Sequence, residues 1–153
     1  MKKTLVFDMD GVLVGLYQVD NWLFKLENSD PSPYEEASPL VNLSLLIPLL
    51  FQFKEKNWTI AITSWLAKNS TPLYDQQVRQ AKKDWLDKNH FPYDEIHLIK
   101  YGTTKANATR HKGGYQVLID DNDKIRQGWK LGDTINGKED IYQKLKSLLD
   151  KVE

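Results

Sequence analysis

Asp8 and Asp10 flank Met9 at the end of the apolar run Thr4-Leu5-Val6-Phe7, and Gly11-Val12 follows them. In an extended chain alternate residues share a side, so both carboxylates point one way and Met9 the other. Two carboxylates this close repel each other unless a cation sits between them or one keeps a proton. Acid–base chemistry or a hard metal is the first expectation; a strand-end turn rich in Asp and Gly is the plainer alternative. A second pair, Asp120-Asp121 with Asn122 after it, closes the β-branched run Gln116-Val117-Leu118-Ile119. Two strands that each stop in paired acids imply convergence, and four carboxylates around one point need a divalent ion. Oxygen-only ligands select Mg²⁺ (or Ca²⁺, Mn²⁺) over zinc.

Between the two pairs, Trp58-Thr59-Ile60-Ala61-Ile62 reads as a third buried strand and ends in Thr63-Ser64, whose hydroxyls can donate to an anion without adding charge. Glu95-Ile96-His97-Leu98-Ile99 leads into Lys100-Tyr101-Gly102-Thr103-Thr104-Lys105. A lysine in that loop would offset the charge of a carboxylate nucleophile and of a bound phosphate. Singly, Thr63 and Lys105 are as well explained as a structural threonine and a solvated lysine. Their order along the chain carries the weight.

That ordered set (strand-DxDGV, strand-TS, loop-Lys, strand-DD) resembles the haloacid dehalogenase-like (HAD) hydrolase superfamily in all four of its signature motifs, from Lys3 to about Trp129. The resemblance implies that Asp8 is the nucleophile that forms an aspartyl-phosphate and Asp10 the general acid/base. It implies that Thr63 binds phosphoryl oxygens with Ser64 as helper, and that Asp120 and Asp121 form the metal-binding pair. Asp8, Asp10, Asp120 and Asp121 would together hold Mg²⁺. Gly11 would let the backbone approach the phosphate. The Tyr-Gly-Thr-Thr-Lys run resembles the Tyr-Gly-Thr-Pro-Lys version of small bacterial and phage members, which favours Lys105 as the third-motif lysine over Lys100 and Lys112. Members similar to the dehalogenases lack an acid two residues after the nucleophile, because a halide leaving group needs no proton. Asp10 therefore favours hydrolysis of a phosphate monoester. Receiver domains of response regulators use comparable groups, but in a different chain order.

Composition sets the remaining bounds. At 153 residues the chain is expected to be one domain, 1–153, large enough to bury roughly two-thirds of its unfolded surface. Lysine plus arginine and aspartate plus glutamate balance at 21 each, and the basic residues are dispersed rather than striped, which argues against nucleic acid or membrane as partner. The absence of cysteine excludes disulfides and thiolate zinc sites. The three histidines, His90, His97 and His111, have no metal-ligand spacing. Met1-Lys2-Lys3 runs straight into the first strand with no apolar leader, and Leu40–Phe53 is too short to span a bilayer. A cytoplasmic protein is expected, with no statement on its oligomeric state.

These residues must be positioned by alternating strands and helices, so a three-layer α/β/α sandwich around a central parallel, Rossmann-like sheet is expected, with a small insert after the first strand at about 14–38. The insert reads as irregular, with Asp30-Pro31-Ser32-Pro33 as a breaker. Ser38 and Pro39 read as the N-cap and first position of a helix to about Lys56, kinked or divided at Pro48. A helix over 74–89 turns Val78, Ala81, Trp85 and Leu86 to the sheet; a short one covers 105–111; Ile135 lies in an edge strand; Ile141, Leu145, Leu148 and Leu149 mark a closing helix. Tyr17, Trp22, Phe24 and Tyr34 in the insert, with Trp65 after Ser64, could stack on a nucleobase or pack the insert on the core. The expected substrate is a nucleotide or another small phosphorylated metabolite. The alternatives are a nucleic-acid 3′- or 5′-end phosphatase and a non-catalytic phosphate-binding module.

Overall fold

The structure, a computed structural model, describes residues 1–151. Five strands, β1 (Lys3–Phe7), β2 (Trp58–Trp65), β3 (Glu95–Ile99), β4 (Tyr115–Asp120) and β5 (Thr134–Asn136), form one sheet in the order β3-β2-β1-β4-β5, and every neighbouring pair is parallel. The helices are α1 (Trp22–Glu27), α2 (Ser32–Glu36), α3 (Leu43–Glu55), α4 (Pro72–Lys88), α5 (Ala106–Thr109), α6 (Asp123–Gly128) and α7 (Ile141–Lys151).

Period-two alternation divides the strand residues between two faces. Leu5, Phe7, Ile60, Ile62, Val117 and Ile119 pack against Leu46, Leu50 and Phe53 of α3, Leu86 of α4 and Leu145 of α7. Each such side chain contributes about 1.5–3 kcal/mol by leaving water. Val6, Ala61 and Leu118 lie in register across β1, β2 and β4 and turn the other way, against Ala106 of α5 and Trp129. Continuing the alternation past these residues sends Asp8, Thr63 and Asp120 to that second face.

From β1 the chain runs outward to β2 and β3, then returns to β4 on the opposite side of β1 and continues to β5. β1 and β4 are therefore neighbours whose connections diverge, which leaves a crevice at their carboxyl ends. Both acidic pairs lie at that switch point.

Several local expectations are corrected. The insert is not irregular throughout: it holds a 3₁₀ turn at Leu16–Gln18 and the short α1 and α2. Pro31 and Ser32 begin α2 instead of breaking structure, with Asp30 Oδ1 accepting from Ser32 N–H at 2.9 Å. The insert's neck is pinned by Gly15 N–H donating to Ser38 O (2.8 Å) and Leu40 N–H to Leu13 O (2.9 Å). Ser38 and Pro39 are thus tied into this neck and do not start a helix. Asn42 caps α3, accepting from Ser44 N–H at 3.1 Å, and α3 is undivided at Pro48. Strand β2 runs on through Thr63 and Ser64 to Trp65, and α6 follows the second acidic pair where no helix was foreseen.

Candidate active site

Asp8 is the first residue past β1, and its N–H still donates to Ile119 O (3.0 Å), so the sheet ladder fixes its backbone. Asp120 ends β4 and Asp121 follows it. One carboxylate oxygen from each of Asp8, Asp120 and Asp121 lies within 4.8 Å of the others. Lys105, buried just before α5, donates to Asp8 Oδ1 and Asp120 Oδ2, both at 2.8 Å. Asn122 N–H donates to Asp120 Oδ1 (2.9 Å), and Arg126 to Asp120 O (2.9 Å).

Electrostatics follow from this packing. Burial pushes Asp8 up to about 7, Asp120 and Asp10 adding to the rise and Lys105 opposing it. Burial and the neighbouring Asp120 also raise Asp121. Burial disfavours the charge on Lys105, but Asp8 and Asp120 outweigh it and lift its pKa above the ordinary value. One ammonium thus faces three carboxylates, an excess of negative charge that suits a dication.

Asp10, expected as a fourth ligand, stands outside the three-carboxylate group. Its Oδ2 accepts from Lys82 Nζ at 2.9 Å, and its buried Oδ1 has no hydrogen-bond partner among the described residues. The Thr63 hydroxyl is likewise buried with no partner among the described residues, and the residue is 0% exposed, so the structure does not bring it to the cavity surface. Ser64 is engaged by Lys82 Nζ at 2.7 Å. Gly11 has φ +83°, and a Cβ there would stand 2.6 Å from Asp121 Oδ2. The left-handed φ favours glycine at that point, and a side chain there would also displace the Asp121 carboxylate.

A cavity of about 1200 Å³ opens over these groups. Asp8, Asp10, Lys105, Asp120 and Asp121 line its floor, Ser64 and Trp65 one side, and Tyr17, Trp22 and Tyr34 of the insert another; Thr63 is not among the lining residues. Trp65 donates from Nε1 to Thr103 O (2.8 Å) and its ring lies 5.0 Å from that of Tyr101, so it also secures the loop leading to Lys105. Of the competing lysines, Lys100 is exposed and Lys112 pairs with Glu95. Asp123, which begins α6 just after the second acidic pair, pairs with Arg126.

Lys82 was missed from the sequence. It is 1% exposed on α4, in the stripe made by Val78, Ala81, Trp85 and Leu86. A lysine four residues after Val78 and three before Trp85, on a face that otherwise reads as core, was the available signal.

No family model and no curated protein sequence matches the chain. Among solved structures, D,D-heptose 1,7-bisphosphate phosphatase from B. bronchiseptica, complexed with magnesium and phosphate, matches with a TM-score of 0.59 at 13% identity. The match covers 99% of this chain and 100% of that one. At this identity the likeness establishes the fold. The chain has the HAD-like α/β fold, a five-stranded parallel sheet with helices on both faces, as its motifs foretold.

Proposed function

We propose that this chain is a Mg²⁺-dependent phosphomonoesterase of the HAD type that works through an aspartyl-phosphate on Asp8. The observation that carries the reading is Lys105 held between Asp8 and Asp120, with Asp121 completing a buried three-carboxylate group at the sheet's switch point. The likeness of fold to a phosphatase supports it.

The donor set fits a hard dication: three carboxylates, no nitrogen or sulfur ligand, and one lysine to offset them. Asp8, Asp120 and Asp121 would hold Mg²⁺, with Asp10 contributing to the site's charge from beside Asp8. When bound, the ion would screen the repulsion between Asp8 and a phosphate dianion and stabilise charge on the transferred group.

Asp8 attacks phosphorus while the ester P–O bond breaks, and the leaving oxygen takes its proton from Asp10. Asp10 then takes a proton from the water that attacks the aspartyl-phosphate, and the P–O bond to Asp8 breaks with its electron pair returning to the carboxylate. Lys105, which lines the cavity floor, neutralises and orients the phosphoryl oxygens, which is most of the catalytic task when the transition state is loose. Residues 14–38 act as a flap over the site in an otherwise single-domain chain. The cavity is far larger than a phosphate, and its aromatic side walls favour a small phosphorylated metabolite with a flat group, such as a nucleotide. Among the described residues no helix is long and apolar enough to cross a membrane.

The test is phosphate release from a panel of nucleotides, sugar phosphates and aryl phosphates, with Mg²⁺ or with EDTA. Release that needs Mg²⁺ and disappears in a folded Asp8→Asn variant is expected. Undiminished release from Asp8→Asn, or none from the unaltered chain on any substrate, would overturn the reading.

A further inference from the structure

Lys82 has no part in the chemistry above, yet it is the most completely engaged side chain near the site. Its ammonium donates to Asp10 Oδ2 (2.9 Å), Ser64 Oγ (2.7 Å) and Trp65 O (2.9 Å), and lies 5.1 Å from the centre of the Tyr34 ring. Those three acceptors account for all three of its N–H groups. It is 1% exposed, and an unpaired ammonium so buried costs several kcal/mol. An apolar residue at this point of the α4 stripe would avoid that penalty, so helix packing alone gives no reason for a lysine.

Asp10 lines the cavity and Lys82 does not. Asp10 lies outside β1 in the coil that closes on Met9 O, which accepts from the N–H groups of Val12, Leu13 and Val14, so the sheet ladder does not orient its carboxylate. The orientation comes from α4 and the end of β2. We infer that Lys82 is a positioning residue for Asp10: it grips Oδ2 and fixes it to Ser64 and Trp65, which sets the carboxylate in one orientation at the cavity wall. This rests on the phosphatase reading and adds a residue to it. Tyr34, set against the ammonium from the insert, closes the same cluster from the flap side.

The experiment is a double-mutant cycle of Lys82→Met with Asp10→Asn, read as kcat and KM on an alkyl phosphate and on p-nitrophenyl phosphate, with thermal unfolding alongside. Lys82→Met is expected to lower kcat on the alkyl phosphate by about 10²-fold, with KM within about threefold. The loss on p-nitrophenyl phosphate should be smaller, because that leaving group scarcely needs a proton. Lys82→Arg, which keeps a donor for Asp10, should recover part of the loss. In the Asp10→Asn background Lys82→Met should change kcat by less than about twofold. That last comparison removes both charges together and stays readable even where Lys82→Met alone does not fold. A further drop of tenfold or more on Asp10→Asn, or Lys82→Met matching the unaltered chain while Lys82→Arg fails, would overturn the positioning role and leave the phosphatase reading intact. An unaltered chain inactive on every substrate would overturn both.

Discussion

Lys105 Nζ lies 2.8 Å from Asp8 Oδ1 and 2.8 Å from Asp120 Oδ2, so one buried ammonium joins carboxylates from the ends of two adjacent strands. Taking away one partner of such a pair leaves uncompensated buried charge, a change worth about 3–5 kcal/mol. Lys105→Met is expected to lower the stability of the metal-free protein by that order and to remove most phosphate release. Lys112→Met, which loses only a partly exposed pair with Glu95, should cost less than about 1 kcal/mol and leave turnover unchanged. Thermal unfolding in EDTA and initial rates check both. Equal losses in the two variants would show that Lys105 is not the lysine of the site.

Among the described residues, Asp121 has no such cation at hydrogen-bond distance. Burial and the adjacent Asp120 both disfavour its charge, so in the metal-free protein the carboxylate strains the fold that a metal would relieve. Asp121→Asn should therefore stabilise the protein in EDTA, by about 0.5–1 kcal/mol, and lose most of the upward Tm shift that Mg²⁺ gives the unaltered chain. Unfolding scans with EDTA and with millimolar Mg²⁺ measure both effects. An Asp121→Asn variant with an undiminished Mg²⁺ shift would remove this carboxylate from the ligand set.

The sequence displayed the site's floor and concealed its walls. β1, β2 and β4 are runs of branched and aromatic residues buried on both faces, and the paired acids at the ends of β1 and β4 stand out against those apolar runs. The insert hid its helices for a physical reason. α1 buries none of its residues and α2 only Pro33 and Tyr34, so neither is long enough to show a 3.6-residue stripe. Leu16 and Tyr34 are held by Tyr74, Val78 and Ala81, contacts that exist only once the chain has folded. The start of α3 was misplaced because Ser38-Pro39 and Asn42 are both good helix openers, and pairing of Val14 with Pro39 decided between them. Lys82 escaped because a lysine among core positions is ordinarily read as a break in the stripe; its acceptors come from distant parts of the chain.

Glu95, on the edge strand β3, offers a pH-dependent contribution away from the site. Burial pushes its carboxyl up, but hydrogen bonds and charge from Lys112 and His97 prevail and hold it below the ordinary value. A lowered pKa in the folded state means stabilisation present above the unfolded value, about 4.3, and lost as pH falls through the folded one. Glu95→Gln should cost about 0.5 kcal/mol at pH 7, a figure discounted for partial exposure, and nothing at pH 3. Urea unfolding of both proteins at the two pH values tests it; a gap of the same size at each would mean that the pair contributes by packing.

Trp65 stands where it can serve either the substrate or the loop before Lys105. Its Nε1–H holds Thr103 O in the loop before Lys105, and its ring, 5.0 Å from that of Tyr101, faces the cavity. If the ring stacks on a flat group of the substrate, Trp65→Ala raises KM for nucleotides by about tenfold, within the ~1–3 kcal/mol of one such contact, and leaves glycerol phosphate unaffected. Trp65→Phe, which keeps an aromatic face and loses the hydrogen bond, should then stay within about threefold of the unaltered chain on both substrates. If Trp65 instead serves to seat Lys105, both variants lower kcat on nucleotides and glycerol phosphate alike, and Phe is nearly as damaging as Ala. The stacking outcome is the one expected, because Lys105 is already fixed by two carboxylates at 2.8 Å and needs less from the loop that leads to it.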